Sequence, residues 1–145
     1  KSAFEYWTKA AELGNASAHY NLSVMYRLGQ GVEKDEKKHV YHLEVAAIGG
    51  HVQARHNLAV IELIDGKMER SVKHFTIAAN MGWANSLKNL WKYHARGLVK
   101  KEDLNATLRA HQAAVDATKS AQREQAEDYL KRSLRSQEKT KLRGS

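Results

Sequence analysis

Residues 18–50 read AHYNLSVMYRLGQGVEKDEKKHVYHLEVAAIGG, and the sequence on both sides repeats their pattern. Ala18, Leu22 and Tyr26 fall on one helical face. Gly29-Gln30-Gly31-Val32 interrupts the helix, and Val40, Leu43, Ala46 and Ala47 restore helical spacing. The stretch predicts two antiparallel helices joined by a glycine turn, which is one unit of a helical-hairpin array.

A double alanine near the end of the second helix sets the register. It recurs as Ala10-Ala11, Ala46-Ala47, Ala78-Ala79 and Ala113-Ala114, at spacings of 36, 32 and 35 residues, which is the period of a solenoid. Asn21-Leu22, Asn57-Leu58 and Asn89-Leu90 repeat the first two intervals independently. The second unit is shorter only in its loop, where Ile64-Asp65-Gly66-Lys67 answers the segment Leu28 to Asp35.

The run Ala18-x-Tyr20-Asn21-Leu22-x-x-x-Tyr26-x-x-Gly29-x-Gly31-Val32-x-x-Asp35 resembles the Sel-one-like repeat, a relative of the tetratricopeptide repeat. The resemblance begins in a second helix at Ala3-Phe4-Glu5-Tyr6-Trp7 and fades after Ala114. It implies an all-α fold, a right-handed α-solenoid of antiparallel helix pairs, that serves as an adaptor in protein complexes without chemistry of its own. Three positions depart from the family pattern. His39 and Ser71 stand where a small alanine is preferred, and Trp91 takes the tight-crossing position held by Ser23 and Ala59.

Taken in order, the chain is expected to form one array over residues 1–136 followed by a basic flexible tail over 137–145. Residues 1–14 are a half repeat with Phe4, Trp7, Ala10 and Ala11 inward and Lys1, Glu5, Lys9 and Glu12 outward. Repeats follow over 15–50, 51–82 and 83–117, with helices expected at Ala16–Leu28, Asp35–Ile48, Val52–Ile64 and Met68–Met81. Gly14, Gly29 and Gly31 allow left-handed turns, and Asp35 can cap the helix after it. In the third repeat a first helix ends at Arg96-Gly97 and a second runs to about Val115. There Ala110 takes the place of Trp7, Leu43 and Phe75 while Trp91 enlarges the crossing, an exchange of core volume between helices. A separate capping helix over 118–136 presents only Ala126, Tyr129, Leu130 and Leu134 as an apolar stripe.

With 145 residues, 42% of them hydrophobic, the chain can bury one continuous core. It has no proline or cysteine, and no apolar run approaches the ~20 residues needed to cross a bilayer, so a soluble domain without disulfides is expected. No compartment is indicated. The chain opens in mid-repeat without methionine or a signal-like stretch and so reads as part of a longer protein. The net charge of +8 favours acidic partners. Lys131, Arg132, Arg135, Lys139, Lys141 and Arg143 oppose only Glu138 near the C-terminus, either as a frayed solvated end or as a surface for nucleic acid or lipid.

No motif for catalysis is visible: there is no Gly-x-Ser-x-Gly elbow, and the acidic residues alternate with lysine and arginine on outward positions. The Gly29-x-Gly31 loop lacks the flanking strand and lysine of a phosphate cradle. His39, His42 and His74 invite a metal reading, but the eight histidines are scattered and no Cys or His-Glu-x-x-His run accompanies them. No cofactor or metal is expected. The alternative to an adaptor is a binder of nucleic acid or anionic surfaces through the basic third repeat and tail.

An array of helix pairs lines its concave groove with first helices. By alignment to the tetratricopeptide pattern that groove presents Tyr20, Val24 and Arg27, then His56, Val60 and Leu63, then Lys88, Lys92 and Arg96. It suits a peptide with an apolar portion followed by acidic residues or a free carboxylate. Asn21, Asn57 and Asn89 recur on the same helices, either bonding to the neighbouring repeat or forming a ladder for a peptide main chain. Self-association through the incomplete N-terminal edge at Phe4 and Trp7 is a further expectation.

Overall fold

A computed structural model describes residues 2–144; Lys1 and Ser145, expected on an outer helix face and at the tip of the tail, lie outside the described residues. The described residues form seven helices: α1 (Ala3–Glu12), α2 (Ala16–Leu28), α3 (Glu36–Ile48), α4 (Val52–Ile64), α5 (Met68–Asn80), α6 (Ala84–Ala95) and α7 (Lys101–Arg143). This is an all-α repeat fold. Consecutive helices pack as hairpins, and α3 lies against α4 as the bridge between units.

The local signals explain the hairpins. Asn15 and Asp35 are N-caps whose side chains accept from the amides of Ala18 and Lys38, satisfying donors that have no partner in the first turn. Gly29 ends α2 in the left-handed region at φ 70°, and Gly31 repeats that conformation two residues on, so a side chain at either would be strained.

The core is a staggered series of small clusters. Ala11, Ala18 and Leu22 form the first, with Phe4 and Trp7 against it. Leu43, Ala46, Ala47, Ala54 and Leu58 form the second. Phe75 is the largest fully buried side chain of the third, with Ala59, Ala79, Leu90, Tyr93 and Leu104 around it. The double alanines of α3 and α5 are buried, which lets neighbouring backbones approach closely.

Three expectations about the third unit are corrected. First, no break separates a repeat ending at residue 117 from a capping helix over 118–136 or a flexible tail over 137–145; α7 is continuous to Arg143. Earlier boundaries carry a positive-φ glycine, at Gly14, Gly29, Gly50, Gly66, Gly82 and Gly97, whereas no glycine or proline lies between Leu98 and Arg143. From Asp116 to Gly144 every residue except the half-buried Ser133 is exposed, so this part of α7 covers nothing.

Second, the inward pair on α7 is Ala114-Val115, with Ala113 exposed. Thr107, His111, Ala114 and Val115 stand to α7 as Ser71, Phe75, Ala78 and Ala79 stand to α5, so the counterpart of Phe75 is His111 and not Ala110. Third, Trp91 is 48% exposed instead of filling the crossing. A crossing that fits the fully buried Ser23 and Ala59 has no room for an indole, and the space beside Ala110 is a cavity.

Candidate functional site

The first helices bring part of the expected groove together. Tyr20, Ser23, Val24 and Arg27 on α2 face Asn57, Val60, Ile61 and Ile64 on α4 across a cavity of about 390 Å³, with His39 of α3 also lining it. Tyr20 is held in place by stacking on His51, centroids 4.3 Å apart. Arg27 is exposed, and no carboxylate lines this cavity. Two polar groups there have no hydrogen-bond partner among the described residues: the buried Ser23 hydroxyl and the half-buried Asn57 amide.

The other expected groove residues lie elsewhere. His56 is turned toward the next unit, where Nδ1 sits 2.7 Å from the Ser86 hydroxyl and the ring meets the edge of Phe75, centroids 5.2 Å apart. Leu63 packs against the third core cluster, as does Val60. Lys88 and Lys92 on α6 and Arg96 at its C-cap are exposed and do not line this cavity. Asn21 lines a different cavity of about 400 Å³, at the N-terminal edge with Phe4, Trp7 and Val24. Asn89 is half-buried. None of the three asparagine amides bonds to another described residue, so the bond to a neighbouring repeat is not made.

Sequence reasoning missed a larger cavity between α5 and α7. It measures about 680 Å³ and is lined mainly by Val72, Thr76 and Ile77 of α5, Leu98 and Val99 of the α6–α7 loop, and Ala106 and Ala110 of α7. Its trace in the sequence is the pair of small side chains Ala106 and Ala110, one turn apart on α7, and nothing in that pair showed that Trp91 points away.

The histidines serve as fasteners. His39 Nδ1 donates to the Ser23 carbonyl, His111 Nδ1 to the Ala79 carbonyl and His94 Nδ1 to the Val99 carbonyl. Nδ1 of His19 and Nδ1 of His42 are 2.9 Å apart between α2 and α3; at the same place one unit on, Arg55 lies 3.4 Å from His74. His51 accepts from the Ala54 amide as the N-cap of α4. Burial, followed by the charges of His19 and Lys38, holds His42 below its usual range. Burial does the same for His51 and His56, and burial followed by the Arg55 charge for His74. Among the described residues no three His, Asp or Glu side chains converge as a metal would require.

A family model described as Sel1 repeat matches residues 1–15, 16–51 and 53–83. Among solved structures the chain is similar to a Sel1 repeat protein from Oxalobacter formigenes, with 28% sequence identity and a TM-score of 0.61 over 79% of this chain and 49% of that one. The chain thus spans about half the length of that relative. No curated protein matches.

Proposed function

The chain belongs to the Sel1 repeat family, whose members generally act as non-catalytic protein-interaction scaffolds, and on that premise we propose that it binds a peptide or partner helix in the groove between α2 and α4. The observation that carries this reading is the unpartnered, half-buried Asn57 amide in a cavity with the apolar side chains of Val24 and Val60. An amide offers both donors and an acceptor, as a peptide main chain needs. An apolar side chain of the ligand seats against Val24 and Val60. Its acidic end or free carboxylate reaches the exposed Arg27, with Lys88, Lys92 and Arg96 continuing the positive surface along α6.

Fluorescence anisotropy on labelled peptides with an apolar residue near a free or amidated C-terminus tests the reading. The free carboxylate binds more tightly. Arg27→Ala weakens it by roughly five-fold, the scale of one exposed charge-assisted contact, and Asn57→Ala weakens it independently of the terminus. Replacing Lys88 and Lys92 together by alanine weakens binding without lowering the unfolding midpoint, because both are exposed. Binding that ignores all of these substitutions counts against the groove. Binding to nucleic acid or anionic surfaces that falls steeply with salt and is indifferent to peptide sequence favours the basic third repeat and tail instead.

A further inference from the structure

Beyond Val115, α7 runs clear of the array for some 40 Å, at about 1.5 Å per residue. A helix in water owes most of its stability to packing an amphipathic face, and this segment has such a face. Ala126, Leu130 and Leu134 succeed one another at four-residue steps beside Tyr129, and the last three of these apolar side chains, Tyr129, Leu130 and Leu134, are 75%, 59% and 56% exposed. The charges around the stripe are ordered. Glu124, Glu127 and Asp128 precede Leu130 with Arg123 at their outer end, whereas Lys131, Arg132 and Arg135 follow it with Glu138 at theirs, so the order inverts symmetrically about Leu130. Glu127 and Lys131, and Asp128 and Arg132, are four residues apart, but the ion pair among the described residues joins Arg70 to Glu62, so none of these six charges is held in an ion pair within its own chain.

We propose that the distal half of α7 pairs antiparallel with the same segment of a second copy of the chain, about a two-fold axis near Leu130. The antiparallel arrangement sets the acidic block of each copy against the basic block of the other, and small Ala126 against large Leu134. A parallel arrangement would oppose like charges along the whole contact. The surface is therefore self-complementary, as a two-fold contact requires. A polyanion would be drawn to the basic block and repelled by Glu124, Glu127 and Asp128 beside it, and it would leave the apolar stripe in water.

Sedimentation equilibrium on the full chain tests this. The mass rises toward twice that of one chain as concentration increases. Leu130→Glu combined with Leu134→Glu holds it at one chain while the thermal midpoint of the array is unmoved, since neither residue touches the array. The chain has no native cysteine, so orientation can be read by cross-linking: Ala126→Cys mixed with Leu134→Cys forms a mixed disulfide, and Ala126→Cys alone does not cross-link. A strict monomer at millimolar concentration overturns the proposal. So does a dimer that survives Leu130→Glu with Leu134→Glu and is lost on Trp7→Glu, which assigns self-association to the N-terminal edge. Efficient cross-linking of Ala126→Cys to itself overturns the antiparallel orientation, and a monomer whose distal α7 binds duplex DNA or anionic vesicles assigns the stripe to those partners.

Discussion

Nδ1 of His39 donates to the carbonyl oxygen of Ser23 across 2.9 Å, joining α3 to α2 in the buried interior. One unit later the hydroxyl of Ser71 donates to the carbonyl of Ala59 at 2.7 Å, so two chemically different residues perform the same cross-helix fastening. In the third unit Thr107 instead bonds the Asp103 carbonyl of its own helix. Ser71→Ala is therefore expected to cost about 0.5–1.5 kcal/mol, the net value of a buried hydrogen bond. Thr107→Val, which keeps the side-chain volume, costs less. Urea denaturation of both variants measures the difference, and equal losses would show that the cross-helix bond contributes nothing.

Phe75 is fully buried at the centre of the third core cluster. Phe75→Ala should lower stability by about 3–5 kcal/mol through lost burial and the cavity left behind. The unfolding midpoint of the variant reports this directly, and a small shift would mean that the neighbouring units collapse onto the gap.

The indole of Trp91 is half exposed, and Ala110 borders the cavity between α5 and α7. Trp91→Ala is expected to cost under about 1 kcal/mol. Ala110→Leu, which fills space already present, should stabilise by about 0.5–1 kcal/mol. If Trp91 filled the space beside Ala110, thermal melts would show a much larger loss for Trp91→Ala and a destabilised Ala110→Leu.

His42, His51, His56 and His74 are all held below the usual histidine value of 6.5, burial being the first cause in each. Unfolding frees them to bind protons that the folded chain resists, so the unfolded state gains protons as pH falls below that value. The stability they contribute is fully present above it and is lost as pH falls through their lowered folded values. The thermal midpoint should thus drop as pH falls below the usual histidine value of 6.5. His51→Asn, which retains a capping acceptor for the Ala54 amide, should reduce that drop.

The hairpins were legible in the residues because their determinants are local. A glycine at positive φ, a capping side chain such as Asn15 or His51 and an apolar residue every third or fourth position act within one or two turns, and α2 and α4 were expected at their observed limits. The continuity of α7 was equally available in the absence of glycine and proline between Gly97 and Gly144, a local signal outweighed by the expectation of a cap. What only the tertiary structure decided is how helices meet across units. A shift of one residue turns a helical side chain by about 100°, so spacing alone could not distinguish Ala110 from His111 as the partner of α5, nor tell that Trp91 turns outward. The groove shows the same division. The repeating positions nominated Tyr20, Val24, Arg27, Asn57 and Val60, which meet in one cavity. The contacts between units drew His56 and Leu63 toward the core, because an apolar or hydrogen-bonding side chain beside a neighbouring helix gains more from burial than from facing a solvent groove.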